Sequence, residues 1–354
     1  MCSRIAGMSH IPDDKSAQEE CCTPSNEHNP FLPCDRINLL APNEEPKYPV
    51  DKAQASITRL YRIPPRRIAL CGGGVRGVAH VGVFKALKDS GFLKYIKEVI
   101  GISAGSLFAL LWVLDYSIEQ IEKLSLELDF TKLVNIEPDT ALLFPLTYGL
   151  DDGKGIENLI ISILKHKGFS PDATFEDIHT NHKLHLRCFA TELQTSKIRE
   201  FSTLKTPKVA IKHALRASMS LPLFYTPVQE ENGALLVDGG LLHNLPLVFL
   251  NQQEYKETWG VLFTIQQKNT IHPVTDVMEM LRYVYDSALI IKNSIYIEKY
   301  KDNIICIPAD CFSALHFEET FEERLSLINL AYQKTKEFIF TKTKPSMNRR
   351  YSVS

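Results

Sequence analysis

Neither sign of charge dominates this chain. Lys and Arg number 40 against 42 Asp and Glu, a formal net charge of −2 at pH 7. No global field draws nucleic acid, so an electrostatic partner would have to be read by a local patch. A long apolar run is also missing. The longest nearly uninterrupted stretch, Val99 to Leu114, has 16 residues, short of the roughly 20 that a membrane-spanning helix needs. The opening residues, MCSRIAGMSHIPDD, lack the apolar segment of a signal peptide, and no secretory leader is expected. The 8 cysteines include no C-x-x-C pair and form no disulfide framework at this length. A reducing compartment is expected for the folded part. Cys71 and Cys188 sit in apolar strand-like runs, where a thiol serves as a small core residue. No H-E-x-x-H, no acidic calcium loop and no internal repeat is found.

What is present is a globular composition. The chain has 354 residues, 44% apolar and 23% charged, which excludes both wholesale disorder and a multi-span membrane protein. The length allows two domains, or one large domain with extensions. Residues 1–60 read as a tail: 7 of the 19 prolines and 4 of the 8 cysteines fall there, with little periodicity. Its Cys and His residues fit no standard zinc-finger spacing. Order is expected from Arg66 onward. Arg67 to Cys71 reads as a buried strand, Gly72 to Gly77 as a tight loop, and Val78 to Ser90 as a helix stopped by Gly91. Glu98 to Ile102 is the next strand, and Ala104 to Leu114 a buried apolar helix. Strand followed by helix, repeated, implies an α/β fold with parallel strands. Helices are expected over Ile156–Lys167, Lys208–Ser218, Asp276–Lys299 and Glu319–Phe340. Strands are expected over Leu184–Leu193, Lys197–Phe201, Leu235–Val237 and Gly260–Ile265.

Three short segments could carry chemistry. Gly101-Ile102-Ser103-Ala104-Gly105 is G-x-S-x-G between a strand and a helix. A sharp turn there would push the Ser103 hydroxyl into the open, with small residues easing the crowded backbone. The alternative is a serine that merely caps the buried helix. Gly72-Gly73-Gly74-Val75-Arg76-Gly77 matches G-x-G-x-x-G after a strand. The next strand ends in Gly101-Ile102-Ser103 with no carboxylate for a ribose, which excludes the dinucleotide reading. Gly77 is followed by Val78-Ala79, which excludes a P-loop. What remains is a loop of free amides able to hold an oxyanion or phosphate, with Arg76 as a cation beside it or as an ordinary surface arginine. Asp238-Gly239-Gly240 follows a short buried strand, so Asp238 could deprotonate a serine directly, or the segment could be a simple turn. His80, His213 and His243 lie nearest these segments and would be the partners in a rival Ser–His mechanism.

Together, and in this order, the three segments resemble the patatin-like phospholipases. Arg216-Ala217-Ser218-Met219-Ser220-Leu221-Pro222, Pro227, Asn244 and Pro246 are similar to the family's segments around its Asp-Gly-Gly. The resemblance covers about 66–250. It implies a three-layer α/β/α sandwich with a mostly parallel central sheet. It also implies a Ser–Asp dyad acting on acyl lipids without histidine, metal or cofactor. Ser103 would be the nucleophile, Asp238 its base, and the amides around Gly72, Gly73 and Gly74 the oxyanion hole, with Arg76 nearby. The expected organisation is a tail over 1–60, a patatin-like catalytic domain over 66–250, an α/β extension over 251–340 packed on it, and a basic tail over 341–354. The expected partner is a phospholipid or lysophospholipid at a membrane surface, with no nucleic acid and no identifiable protein partner. The expected location is the cytoplasm, in peripheral contact with membrane. The expected activity is phospholipase A or lysophospholipase, with acyl transfer to another alcohol or non-catalytic lipid binding as alternatives. Docking is assigned to the C-terminal end, where Lys334, Lys336, Lys342, Lys344, Arg349 and Arg350 face one acidic residue, Glu337. The preceding stripe of Phe321, Leu325, Ile328, Tyr332 and Ile339 would either meet lipid or pack on the core.

Overall fold

The computed structural model describes residues 64–136, 138–265, 273–310 and 319–343. The whole segment 1–60 and most of the basic tail lie outside the described residues. In chain order the first elements are β1 (Arg67–Leu70), α1 (Ala79–Asp89), β2 (Glu98–Ile102), α2 (Ala104–Val113), α3 (Ile118–Glu127) and α4 (Pro138–Thr147). Then come β3 (Gly149–Asp151), α5 (Lys154–His166), α6 (Phe175–His182), β4 (His185–Glu192), β5 (Lys197–Ser202) and α7 (Ile211–Ser218). The last are β6 (Leu223–Tyr225), β7 (Val228–Gln229), β8 (Leu235–Asp238), α8 (Gln252–Lys256), β9 (Thr258–Thr264), α9 (Val277–Tyr300), β10 (Ile304–Pro308) and α10 (Phe321–Thr343).

The main sheet runs β10-β9-β1-β2-β4-β8-β7, with β5 paired to β4. The five strands from β10 to β4 are parallel, and β5, β7 and β8 join antiparallel. Parallel strands are covered on both faces and so carry continuous apolar runs. Accordingly β2 is buried at every position and β9 at all but its last. The crossovers from β1 to β2 to β4 step one way along the sheet, and that from β9 to β10 steps the other way. Because such crossovers are right-handed, α1 and α2 lie on one face and α9 on the opposite one. The fold is a three-layer α/β/α sandwich with a mostly parallel sheet.

A network of ion pairs sits at one end of the sheet. Glu98 accepts from Arg67 and Arg187, each at 2.6 Å, while Glu257 and Glu254 take the same two guanidiniums at 3.2 and 3.0 Å. These pairs tie β1, β2, β4 and the α8–β9 link together at the strands' N-terminal ends. The opposite, C-terminal ends are left to glycines and serines, where open α/β sheets bind ligands.

Of the two readings of the α10 stripe, packing on the core is the one the burial supports. On α10, Ile328 and Ile339 are buried, together with Leu327, Ala331 and Thr335. This face lies against α1 so closely that a Cβ on Gly82 would stand 2.0 Å from the Ile328 carbonyl oxygen. Ile328 and Ile339 of the stripe therefore pack on the core, while Leu325 and Tyr332 are half-buried and Phe321 is exposed. Residues 344–354 of the basic tail lie outside the described residues.

Candidate active site

The site forms where β1 and β2 end. At the β2–α2 junction Ser103 has φ 52° and ψ −129°, a conformation that L-residues rarely adopt and that marks functional turns. The turn is sharp because α2 starts against β1. A Cβ on Gly105 would lie 2.5 Å from the Leu70 carbonyl oxygen, so only glycine lets the helix approach. Ser103 occupies the N-cap position of α2, yet its side chain makes no capping bond. The hydroxyl is thus free of the purely structural role. Its backbone is held instead: the Ser103 amide donates to Ser218 Oγ at 3.1 Å, and Ser106 Oγ donates to the Ser103 carbonyl at 2.6 Å.

Asp238 ends β8, in register with Ala190 of β4. It is 2% exposed. Its Oδ1 accepts the Gly240 amide at 2.7 Å. Burial pushes its carboxyl up to about 6, against the opposing effects of a side-chain hydrogen bond with Ser103 and the Gly240 amide bond. Ser103 and Asp238 are therefore brought together from strands that are distant in sequence. The segment Arg216 to Ser220 explains how. The Arg216 guanidinium is buried and bonds the carbonyls of Asp152 and Thr226 at 3.0 and 2.9 Å and the Ser220 hydroxyl. Ser218 then receives the Ser103 amide, and the Ser220 carbonyl receives the Asp238 amide at 2.8 Å. One stapled segment thus fixes the backbone under both groups. Sequence reading marked this segment by similarity but gave it no task.

The glycine loop behaves differently at each position. The Gly72 amide donates to Asn244 Oδ1 at 3.1 Å, and Asn244 Nδ2 returns a bond of 3.1 Å to the Gly72 carbonyl. The Gly72 amide is spent on holding the loop, which corrects its expected place among the oxyanion donors. Gly73 and Gly74 remain, with Gly74 in the left-handed region at φ 57°. Arg76 is also placed differently from expectation. It is 1% exposed and pairs with Asp286 of α9 at 3.2 Å, and it is not among the cavity-lining residues. Its geometry pins α9 to the loop and does not present a cation to a substrate phosphate.

His80, His213 and His243, the histidines nearest the motifs in sequence, each meet a partner other than Ser103 or Asp238. His80 is fully buried, with Nε2 at 3.0 Å from the Cys71 carbonyl oxygen, and burial lowers its pKa to about 4. His213 pairs with Glu230 at 2.8 Å, and His243 Nδ1 meets the Tyr296 hydroxyl at 3.2 Å. Two residues that sequence reading missed come from α9. Lys292 Nζ donates to the Gly240 carbonyl at 3.1 Å and to the Leu241 carbonyl, clamping the turn after Asp238. Tyr285 lines the cavity. Both lie beyond the similar segments, and no local pattern distinguishes them within a long helix.

Ser103, Asp238, Gly73 and Gly74 open into a cleft enclosing about 880 Å³, its open mouth included. Its walls are apolar, including Val78, Leu107, Phe108, Leu133, Met219 and Leu289. Such a space accepts hydrocarbon and offers water little.

The raised carboxyl of Asp238 has a stability consequence. The folded protein holds this proton more tightly than an unfolded carboxyl near 3.8 does. Stability therefore falls as pH rises from about 4 to about 6, and the loss persists above that. Asp238→Asn keeps the acceptor for Gly240 and removes the buried charge. It is expected to raise stability at pH 8 by about 2–3 kcal/mol and to give no gain below pH 4. Chemical denaturation of both proteins at the two pH values checks this; a variant destabilised equally at both would sink it.

A strained serine at a strand–helix turn, a buried aspartate and a glycine loop thus meet at the mouth of an apolar cleft on an α/β sandwich. Residues 68–250, just over half the chain, match the family model described as Patatin-like phospholipase, and the chain belongs to that family. Uncharacterized protein R571 of Acanthamoeba polyphaga mimivirus is 28% identical over 283 residues, covering 77% of this chain and 93% of that protein. Uncharacterized protein YqhO of Bacillus subtilis is 27% identical over 286 residues, covering 76% and 96%. Patatin-like phospholipase domain-containing protein 7 of Rattus norvegicus is 29% identical over 209 residues, 53% of this chain but only 14% of that protein. Among solved structures, VipD from Legionella pneumophila shares the fold, with a TM-score of 0.56 at 17% identity over 79% of this chain and 68% of that one. Among the described residues no helix is long and apolar enough to cross a membrane.

Proposed function

We propose that this protein hydrolyses fatty acyl esters of phospholipids or lysophospholipids through a Ser103–Asp238 dyad. The observation that carries the reading is the strained Ser103 joined to buried Asp238 where an apolar cleft opens. Asp238 takes the Ser103 hydroxyl proton as Oγ attacks the acyl carbonyl carbon. The oxyanion forms against the amides of Gly73 and Gly74, at the start of the short helical turn over Gly74–Val78, where unpaired N–H groups favour negative charge. The tetrahedral species collapses, and Asp238 returns the proton to the departing alcohol. Water, deprotonated by Asp238, then attacks the acyl-serine; fatty acid is released, and Asp238 hands the proton to the departing Ser103 Oγ. A base that titrates near 6 makes turnover rise through that pH and level off above it.

The test is turnover of labelled phospholipid and lysophospholipid, with and without EDTA and added acceptor alcohol, in wild type and in His80→Ala, His213→Ala and His243→Ala. Fatty acid release that resists the chelator and survives each folded histidine variant within about tenfold supports the dyad. A fall of several orders of magnitude in one folded histidine variant would replace it with a triad.

Access to packed lipid is assigned to α9. Val277, Met280, Val284, Ile291 and Ile295 are exposed, and at 100° per residue they share one narrow arc. The same helix lines the cleft through Tyr285 and Leu289. Exposed apolar patches of this kind mark docking surfaces. Docking driven by apolar burial predicts binding to neutral phosphatidylcholine vesicles that is insensitive to salt. Ile291→Asp combined with Ile295→Asp should weaken vesicle sedimentation by roughly tenfold or more. Unchanged binding would move the docking surface elsewhere.

A further inference from the structure

Tyr285 holds a buried polar group that the dyad does not use. Its hydroxyl is sequestered from solvent and has no hydrogen-bond partner among the described residues. Its ring lines the same cleft as Ser103, Asp238, Gly73 and Gly74. Leaving a buried hydroxyl unpaired is costly, so a group like this is paired by water or by a ligand that displaces it. Here the packing is well determined. Arg76 holds the neighbouring Asp286 at 3.2 Å. Two turns on, Lys292 clamps the carbonyls of Gly240 and Leu241, and Asn293 Nδ2 donates to the Phe263 carbonyl at 2.8 Å. The helix is thus bonded to the glycine loop, the Asp238 turn and β9 around Tyr285, which fixes where the phenol sits.

The chemistry of an ester limits what the hydroxyl can meet. The acyl chain carries no polar atom. The carbonyl oxygen is served by the Gly73 and Gly74 amides. Every other oxygen belongs to the alcohol half. Asp238, which hands its proton to that half, is close enough to Tyr285 for its charge to disfavour ionisation of the phenol, which burial already holds far above its ordinary range. The phenol therefore stays protonated and keeps a hydrogen to donate.

We infer that Tyr285 is a substrate-contacting residue whose hydroxyl donates a hydrogen bond to an oxygen of the alcohol half beyond the bridging one, so that the site prefers glycerolipid esters over esters of simple alcohols, which carry no such oxygen. This rests on the dyad reading above, and the test separates the two. Tyr285→Phe removes only the hydroxyl. With a lysophospholipid or monoacylglycerol as substrate, kcat/KM should fall about 3- to 10-fold, the range for losing one neutral hydrogen bond. With the ethyl ester of the same fatty acid, whose alcohol half holds no oxygen beyond the bridging one, it should fall less than twofold. The melting temperature should be unchanged or higher, because the removed group has no partner in the free protein. An equal loss on both esters would place the hydroxyl on the acyl oxygen and overturn the inference. So would no loss on either, or a lowered melting temperature. Ser103→Ala run alongside reports on the dyad itself: if it retains activity on both esters, the dyad fails, whatever Tyr285 does.

Discussion

Replacing Ser103 by alanine is expected to lower ester turnover by roughly 10⁴-fold or more, and Asp238→Asn to do nearly the same. The two act as one unit: without the hydroxyl there is no nucleophile, and without the carboxylate its proton has no acceptor. The double variant should be scarcely worse than either single one. Folding should not suffer, since Ser103 makes no cap bond to α2 and its backbone is held by Ser218 and Ser106. A fluorophosphonate probe should label wild type at Ser103 and leave the alanine variant unlabelled. Substantial activity in folded Ser103→Ala protein would remove the site assignment entirely.

The second large effect is expected at Gly73. Gly73→Ala should cost about 100–1,000-fold in rate, the scale for losing one oxyanion donor. The reason lies in packing behind the loop. A Cβ there would stand 2.6 Å from Phe263 Cδ2 and 2.9 Å from Cε2. Phe263 is buried on β9 and also packs against His80, ring centroids 4.8 Å apart. The ring has nowhere to go, so the loop must shift and carry its amide away from the acyl oxygen. Gly233 is the control. It has a left-handed φ of 82° and nothing within 4 Å of an added Cβ, so alanine there should cost a little stability and leave the rate alone. Steady-state rates on one ester for the three proteins decide it; a near-normal rate in Gly73→Ala would place the oxyanion elsewhere.

Much of the site was legible in the chain because its chemistry depends on local backbone shape. Glycines and a serine at a strand–helix turn leave a readable trace, since few residues tolerate that geometry. Asp238 was legible for the same reason, at the end of a short apolar strand before two glycines. The alternation of strand and helix from β1 to α2 was likewise visible as a change of apolar period. Less was visible where pairing is non-local. β6 and β7 are 3 and 2 residues long and exist through partners elsewhere in the chain. β10, a 5-residue strand, looks like any short apolar run until β9 lies beside it.

The sequence by itself determined the class of sheet, the sharp turn at Ser103, the strand-ending Asp238 and the glycine loop, because each follows from the backbone geometry that neighbouring residue types permit. Tertiary structure alone decided what each group is free to do. It spent the Gly72 amide on Asn244, turned Arg76 from a possible phosphate contact into an anchor for α9, and set the histidines against other partners. It also buried Ile328 and Ile339 of the α10 stripe and left the α9 stripe exposed, although both helices carry apolar residues at similar spacing. The physical reason is the same throughout: a hydrogen-bonding group or an apolar face has no role until its partner is known, and these partners arrive from far along the chain.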